Sequence, residues 1–336
     1  MWSCFRSTKT HEQQPDEEGF LVNGALLLQE LISSCDAKSN PLRIFSAQEL
    51  NQSTDNYNQS RILHEDYNYI LYRGLLIQDE LSVLIKKFGE DDELYIQQTI
   101  NEITIASQVN KHAKVLCLLG CCLETKAPIL VFEYAPNGAL SDHIHRIPKS
   151  HPPMSWERRL KIVLDIAEAV TYLHLGSSKP IIHRHISSSN IFLDEHFGAK
   201  LSDFCLSVSI PFGETHVDAQ VVGTFGFLAP ECLSTGRYTE KCDVFSIGAV
   251  LFEILTGNRA YDILQAITSQ FIAQTVLSSE MVTELYLNAN IFQVLEKPEQ
   301  VKACSNLALR CVKEEPEERP TMKEVAQELR HITLFQ

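Results

Sequence analysis

The chain has 336 residues, of which 29 are Lys or Arg and 43 are Asp or Glu, and its formal net charge is −14 at pH 7. Because such an acidic chain repels phosphate, its composition argues against general binding to nucleic acid or to anionic membranes. Hydrophobic residues make up 44% of the chain, which is enough for a buried core and excludes global disorder.

The sequence contains neither a predicted transmembrane segment nor the apolar run of a signal peptide. Trp2 stands where N-myristoylation requires glycine. The 10 cysteines include no C-x-x-C pair, which favours reduced thiols over zinc ligands or disulfides. We therefore expect a cytoplasmic protein. Palmitoylation of Cys4, beside Arg6 and Lys9, would place it peripherally at the plasma membrane, but a free thiol is the simpler interpretation.

The first part of the chain predicts helices followed by strands. Residues 1–19 are polar and are predicted to be a flexible N-terminus. Residues 20–58 are predicted to be a helical extension, since apolar residues recur at helical spacing from Phe20, and Ser46 with Glu49 forms a capping box for a second helix. Residues 59–134 predict a small antiparallel sheet with one helix, with strands at 69–77, 81–88, 115–124 and 128–134 and the helix at 93–109.

Helices dominate the rest of the chain, residues 135–336. Ser155 is predicted to cap a helix that extends to His174, and 244–255 is so uniformly apolar that we expect it to be buried on every side. Thr321 and Glu324 form a capping box for the last helix. The predicted fold class is α+β, with a small β-rich lobe followed by a larger helical lobe.

Short motifs stand in this chain in the order in which protein kinases carry them. Lys86 ends the run Val-Leu-Ile-Lys on the second strand of the hairpin, and Glu102 follows on the next helix. The run from His183 to Asn190, His-Arg-His-Ile-Ser-Ser-Ser-Asn, stands at the place of the catalytic loop. Asp203-Phe-Cys stands at the place of Asp-Phe-Gly.

Three further residues complete this order. Ala-Pro-Glu ends at Glu231 and closes the activation segment, while Asp243 fits the structural aspartate of the family. Arg319 fits the arginine that pairs with Glu231. The chain therefore resembles a protein kinase, and the resemblance implies the bilobal protein-kinase fold.

The loop that should cover the phosphates of a nucleotide is degenerate. The three glycine positions of this loop are occupied by His64, Asp66 and Tyr69, and there is no glycine between Gly24 and Gly74. Glycine lets the backbone approach phosphate closely and adopt positive φ. A carboxylate here faces a polyanion, and a phenol ring occupies space that phosphates need.

The catalytic loop also departs from the kinase pattern. His185 stands in place of the aspartate base, Ser187 in place of the lysine that neutralises the transferred phosphoryl group, and Cys205 in place of the glycine of Asp-Phe-Gly. Loss of a general base costs about 10²–10⁴-fold in rate. An imidazole can accept a proton, so His185 as a substitute base remains an alternative. No catalytic residue is expected.

Four residues of the kinase constellation are retained, namely Lys86, Glu102, Asn190 and Asp203. They could form a residual nucleotide site in which Asn190 and Asp203 hold magnesium. Alternatively, Lys86 and Glu102 form an ion pair that fastens helix to sheet, and Asp203 caps local backbone. We favour the second interpretation, and we expect no cofactor and no metal, with weak binding of ATP and magnesium as the alternative.

Three stretches make the family resemblance more specific. They are Phe-Ser at 45–46 with Glu-Leu at 49–50, Leu-Leu-Gly-Cys-Cys-Leu-Glu at 118–124, and Gly-Thr-Phe-Gly-Phe-Leu-Ala-Pro-Glu at 223–231. They resemble plant receptor-like cytoplasmic kinases near the wall-associated kinases. Together with the helical leader and the degenerate loops, they resemble the ZRK group, which contains the HopZ-ETI-deficient pseudokinase.

This resemblance implies a role in plant innate immunity. Members of the group bind the leucine-rich-repeat domain of a coiled-coil NLR receptor, and bacterial effectors or effector-modified receptor-like cytoplasmic kinases are their other partners. The expected function is a catalytically inactive adaptor or decoy, with no nucleic-acid partner. The alternative is a weak, atypical Ser/Thr kinase that uses His185 as its base.

Overall fold

The computed structural model describes residues 17–34, 42–66, 69–77, 79–89, 93–145, 154–176, 179–265 and 297–334. The predicted flexible N-terminus lies outside these residues, apart from 17–19, which belong to the first helix. Among the described residues, no helix is long and apolar enough to span a membrane. The chain divides into two compact units: Met1–Ser34, Pro41–Ile100 and Leu119–Phe132 form the first, and Cys35–Asn40, Asn101–Leu118 and Glu133–Gln336 form the second.

The first unit is built around a six-stranded sheet with the order β1-β5-β6-β4-β3-β2. The predicted hairpin and the second strand pair are confirmed. The strands are β1 Arg43–Ile44, β2 Ile62–Glu65, β3 Tyr69–Leu76, β4 Leu81–Phe88, β5 Leu118–Cys122 and β6 Ile129–Glu133. The accompanying helices are α1 Glu17–Ser34, α2 Ala47–Ser53 and α3 Glu93–Val109, the last of which continues into the second unit.

The prediction of a purely antiparallel sheet is wrong at one edge. Strand β1 pairs in parallel with β5, with Arg43 opposite Gly120 and Ile44 opposite Cys121. This approach needs a residue without a side chain, since a Cβ at Gly120 would overlap the carbonyl group of Arg43. The sequence did not predict β1 because a two-residue strand has no recognisable periodicity.

The helices before the hairpin pack on this sheet. Phe45 and Leu50 are buried in the same apolar cluster as Tyr72, Ile85 and Val131. The N-terminal extension therefore contributes to the core of the first unit.

Helix α1 begins at Glu17, earlier than the predicted Phe20. Asn23 on this helix is buried, and its side-chain amide donates to the carbonyl groups of Leu123 (3.1 Å) and Thr125 (2.8 Å). Because a buried amide needs hydrogen-bond partners, these two bonds fix the position of α1 against the turn between β5 and β6.

The predicted capping box at α2 is only half formed. Ser46 accepts a hydrogen bond from the Glu49 backbone N–H at 3.1 Å, as predicted. The Glu49 carboxylate does not complete the box but pairs with the Arg43 guanidinium at 2.6 Å. Arg43 lies on β1, a strand that the sequence did not predict, so this competing ion pair was not predicted either.

The second unit is mainly helical, and together with the sheet of the first unit it confirms the α+β fold class. Its described helices are α4 Leu140–His145, α5 Trp156–Leu175, α6 Pro230–Thr235, α7 Glu240–Thr256, α8 Pro298–Cys311 and α9 Met322–Thr333. Three short strand pairs accompany them: β7 Ile181–Ile182 with β10 Val208–Ser209, β8 Ile191–Leu193 with β9 Ala199–Leu201, and β11 Val217–Asp218 with β12 Arg237–Tyr238.

The predicted features of these helices are confirmed. Every residue of α7 from Cys242 to Thr256 is buried. Ser155 caps α5, and Thr321 forms a complete capping box with Glu324 at the start of α9. Helix α7 is thus the centre of the second unit, and its N-terminal end lies beside the catalytic-loop residues.

Candidate functional site

The degenerate phosphate loop is the turn between β2 and β3. His64 lies on β2 and Tyr69 begins β3, and the Asp66 backbone N–H donates to the Tyr69 carbonyl oxygen at 2.9 Å to close the turn. The His64 Nε2 atom lies 3.8 Å from the Asp66 carboxylate. Residues 67 and 68 lie outside the described residues.

Lys86 lies against two aromatic rings of the same sheet face. Its Nζ atom is 4.4 Å from the centre of the Tyr69 ring and 4.9 Å from that of the Phe88 ring. The β3–β4 register explains the contact, since Tyr69 pairs with Phe88 and Leu71 pairs with Lys86, which places all four side chains on one face. An ammonium group over such faces is attracted by the negative charge of the π system.

Glu102 and Asn101 lie next to each other on α3. Glu102 is completely buried. The side-chain amide of Asn101 donates to the carbonyl groups of Phe204 (3.4 Å), Cys205 (3.1 Å) and Ser207 (2.9 Å). Asn101 therefore fixes the backbone that follows Asp-Phe-Cys. No local pattern predicts the role of this residue, because its partners lie more than a hundred residues further along the chain.

Asp243 organises the start of the catalytic loop, which confirms the structural role predicted for it. Its carboxylate accepts the backbone N–H groups of His183 (2.8 Å) and Arg184 (2.9 Å) and contacts His174 Nε2 at 2.9 Å. Burial alone would raise the pKa of Asp243, but the hydrogen bonds and nearby imidazoles outweigh it and lower the pKa. Burial lowers the pKa of His183 to about 4, so this ring is neutral at pH 7.

His185 faces the aspartate of Asp-Phe-Cys. Its Nδ1 atom lies 3.1 Å from Oδ2 of Asp203, and its Nε2 atom lies 3.4 Å from the hydroxyl of Thr224. The Cys205 thiol belongs to the same cluster, in which ligand atoms of His185, Asp203 and Cys205 all lie within 4.8 Å of one another. An imidazole, a carboxylate and a thiol thus meet at one point.

Asn190 and Ser187 occupy the remaining predicted positions. The Asn190 side-chain N–H donates to the His185 carbonyl oxygen at 2.9 Å, so this amide holds the catalytic loop itself. Ser187 is buried and precedes the 3-10 turn Ser188–Asn190, and its hydroxyl does not cap this turn.

Two arginine side chains hold the activation segment in place. Arg184 donates to the carbonyl groups of Leu206 (2.9 Å) and Gln220 (2.5 Å), and its guanidinium lies 4.0 Å from the centre of the Tyr238 ring. At the far end of the segment, Arg319 forms two hydrogen bonds of 2.7 Å with the Glu231 carboxylate. The predicted pairing of Arg319 with Glu231 is confirmed.

Within each unit, the structure brings most of the predicted residues together. In the first unit these are His64, Asp66, Tyr69 and Lys86. Phe88 was not predicted, and its signal is its position two residues after Lys86 on a strand. In the second unit His185, Asn190, Asp203 and Cys205 lie together, while Ser187 and Glu102 are buried elsewhere on the catalytic loop and on α3. Asn101 and Thr224 were not predicted.

Comparison with known proteins agrees with this arrangement. A family model described as "Protein tyrosine and serine/threonine kinase" matches residues 67–329. A sheet-rich first unit, a helical second unit and motifs in kinase order define the same class. The chain belongs to the protein kinase family, as its motifs predict.

The most similar relatives include plant kinases of two kinds. The chain is 38% identical to Serine/threonine-protein kinase ZRK1 of Arabidopsis thaliana over 337 residues, which cover 96% of this chain and 94% of that protein. It is 39% identical to Wall-associated receptor kinase-like 1 and 41% identical to Wall-associated receptor kinase-like 17 of the same plant, covering 93% and 86% of this chain. The chain spans only 43% and 37% of these two relatives. The resemblance to the ZRK group near the wall-associated kinases is confirmed.

Proposed function

We propose that this chain is a catalytically inactive member of the kinase family that acts as an adaptor or decoy in plant innate immunity. The observation that carries the first half of this proposal is the contact between Lys86 and Tyr69. In a kinase, the lysine at this position pairs with phosphate oxygens. Here its ammonium group lies 4.4 Å from the centre of a phenol ring that stands at a glycine position.

The surroundings of Lys86 do not fit a nucleotide. A triphosphate would have to displace the Tyr69 ring and approach the Asp66 carboxylate, and no glycine in this loop relieves the crowding. Because like charges repel at short range, Asp66 opposes any phosphate that enters. We therefore assign no step of chemistry to ATP in this protein.

The second unit supports the same proposal. In place of an aspartate base, the catalytic loop presents His185, whose Nδ1 atom lies 3.1 Å from the Asp203 carboxylate. The Asn190 N–H group donates to the His185 carbonyl at 2.9 Å. Ser187 carries no charge that could stabilise a transferred phosphoryl group. The residues at the positions that would hold magnesium and activate a hydroxyl, namely Asp203, Asn190 and His185, therefore contact one another.

The described surface offers two places for partners. We name the first the segment surface, defined by Phe212 and Phe225 on the activation segment, which are 89% and 72% exposed. The second is the α1 surface, defined by Leu21, Val22 and Leu28, which are also exposed. Exposed large apolar side chains that cluster on one element mark interaction sites.

The partners follow from the resemblance to the ZRK group. We propose that these surfaces bind the leucine-rich-repeat domain of a coiled-coil NLR receptor, and receptor-like cytoplasmic kinases or bacterial effectors. A stable interface needs about 800 Å² from each partner. The activation segment is held in place by Arg184 and Arg319, so its apolar side chains are displayed without phosphorylation.

A second candidate function is a weak Ser/Thr protein kinase. The observation that favours it is the pair of His185 and Asp203, because a carboxylate that orients an imidazole is a known arrangement for a general base. The name of the relative ZRK1 describes a serine/threonine-protein kinase. This candidate requires the phosphates to bind despite Tyr69.

The test measures thermal unfolding with and without ATP and magnesium. A ligand at 100 times its Kd stabilises by about 2.7 kcal/mol, which for a chain of this size is a shift of several degrees. We expect no shift for the wild type at millimolar ATP. The matched variant is His64→Gly/Asp66→Gly/Tyr69→Gly, which restores the glycines and should gain a shift if the loop is the obstacle.

Autophosphorylation with magnesium and with manganese separates the two candidates. We expect no incorporation of phosphate. A thermal shift of the wild type, together with phosphate incorporation that His185→Gln abolishes, would show that the protein is an active kinase. That result would contradict the proposal of an inactive adaptor.

A further inference from the structure

The cluster of His185, Asp203 and Cys205 has the donors of a transition-metal site. Nitrogen, oxygen and sulfur ligand atoms from the three residues all lie within 4.8 Å of one another. The His185 Nδ1 to Asp203 Oδ2 distance is 3.1 Å. Around a tetrahedral zinc ion with bonds near 2.1 Å, neighbouring ligand atoms are about 3.4 Å apart. The cluster therefore needs only small side-chain movements to surround one ion.

The backbone on both sides of the cluster is held by hydrogen bonds. Asn101 fixes the carbonyl groups of Phe204 and Cys205, and Asn190 fixes that of His185 at 2.9 Å. A metal site gains affinity when its ligands are positioned before the metal arrives. These two amides supply that support from α3 and from the catalytic loop.

The second nitrogen of the His185 ring, Nε2, can fix the tautomer that leaves Nδ1 able to bind a metal. Its Nε2 atom lies 3.4 Å from the Thr224 hydroxyl. When Nε2–H donates to an oxygen atom, Nδ1 carries the lone pair, and this atom faces Asp203. A histidine that ligates a metal commonly donates its other ring N–H in this way, which fixes the tautomer.

We propose that His185, Asp203 and Cys205 bind one zinc ion, with water as the fourth ligand. A thiol and an imidazole favour zinc and other borderline metals over magnesium, which prefers oxygen donors. On binding, the Cys205 thiol releases its proton to solvent and the thiolate forms a bond with zinc. The site joins the catalytic loop to the segment after Asp203 and needs neither a nucleotide nor a protein partner.

The test uses Co²⁺ as a probe in place of Zn²⁺, because a Co²⁺–thiolate bond absorbs in the near ultraviolet. We expect stoichiometric Co²⁺ to produce this absorption, stoichiometric Zn²⁺ to abolish it, and excess Mg²⁺ to leave it unchanged. Cys205→Ser should abolish the absorption and weaken Zn²⁺ binding by more than about 100-fold. Loss of an outer-shell partner costs up to about 100-fold, and loss of a direct ligand should cost more. His185→Gln should weaken Zn²⁺ binding similarly.

The matched control is Cys117→Ser, because Cys117 is partly buried, like Cys205, but lies outside the cluster. This control should bind as the wild type does, and circular dichroism should show that every variant is folded. The proposal is wrong if folded Cys205→Ser keeps the Co²⁺ absorption. It is also wrong if the absorption disappears instead with Cys232→Ser, because Glu231, Cys232 and Cys242 form the other cluster of metal-ligating side chains among the described residues.

Discussion

The contact of Lys86 with Tyr69 and Phe88 shows how one residue changes the character of a site. A glycine at position 69 would offer the ammonium group no ring, whereas the tyrosine presents the face of a π system to it. The adjacent Phe88 ring lies 5.8 Å from Tyr69 in an edge-to-face arrangement, which holds the phenol in place.

His183 is the residue with the clearest consequence for pH. Burial lowers its pKa to about 4 from an ordinary 6.5, and the carboxylates of Asp243 and Asp203, which face it together with His185, only partly oppose this. As the pH falls below 6.5, the unfolded chain takes up the proton and the folded protein does not. We therefore expect this group to lower the free energy of unfolding by on the order of 3 kcal/mol as the pH falls from 6.5 toward 4.

The measurement is urea unfolding at a series of pH values between 4 and 7. His183→Gln, whose amide can still donate to the Ser202 carbonyl, should show a weaker dependence than the wild type. His196→Gln is the matched control, because His196 is exposed and its replacement should change nothing. Equal slopes for the wild type and His183→Gln would contradict the assignment.

Repair of the catalytic loop alone should not restore activity. In His185→Asp/Ser187→Lys, Tyr69 still lies against Lys86, and the phosphates still lack a cover. Catalysis by positioning requires reacting atoms about 3–3.5 Å apart. We expect no autophosphorylation in magnesium or manganese, and phosphate transfer by this double variant would show that the degenerate loop is no obstacle.

At the scale of elements, two arginines fix the activation segment at its ends. Arg184 binds backbone carbonyl groups of the segment, and Arg319 binds Glu231 and the carbonyl groups of Lys241, Lys313 and Glu314. The Arg319 side chain is completely buried. All these partners are backbone carbonyl groups or a carboxylate, so none of these contacts requires a phosphate group.

Removal of Arg319 should be strongly destabilising. In Arg319→Ala, the Glu231 carboxylate and several carbonyl groups lose their partner, and breaking such a buried pair costs about 3–5 kcal/mol. Arg310→Ala is the matched control, since Arg310 also pairs with a glutamate, Glu328, but is exposed. It should cost less than about 1 kcal/mol. Urea unfolding measures both, and equal losses would contradict the role given to Arg319.

At the scale of the whole molecule, the proposed adaptor separates partner binding from the nucleotide site. The segment surface and the α1 surface each carry exposed apolar side chains, whereas Lys86 is buried. An apolar anchor at the centre of an interface commonly contributes more than 1 kcal/mol. We therefore expect the surface side chains to decide affinity, and Lys86 to affect only stability.

This expectation can be measured with the leucine-rich-repeat domain of a coiled-coil NLR receptor identified by co-purification from plant tissue. Phe225→Asp should weaken binding by at least about tenfold, whereas Lys86→Met should bind as the wild type does. Leu334→Asp is the control, because Leu334 is equally exposed at 72% but lies after the last helix. If folded Lys86→Met loses the partner, or the wild type binds only with ATP, nucleotide controls the adaptor.

The motifs and most elements could be predicted from the sequence because they depend on local spacing. The hairpin, the buried helix α7, the caps at Ser155 and Thr321 and the pairing of Arg319 with Glu231 all followed from residue order and family resemblance. The positions of the three missing glycines could be identified for the same reason.

Where no motif links two residues, only the tertiary structure decided which side chains meet. Strand β1 pairs with β5 because Gly120 leaves room for it, and the arrival of Arg43 draws Glu49 away from its capping box. Asn101 and Cys205 are 104 residues apart in the sequence but form a hydrogen bond in the structure. The sequence by itself determined what is missing from a kinase, because a motif reports the identity of a residue. What His185, Asp203 and Cys205 form instead depends on distances between loops, which no local pattern encodes.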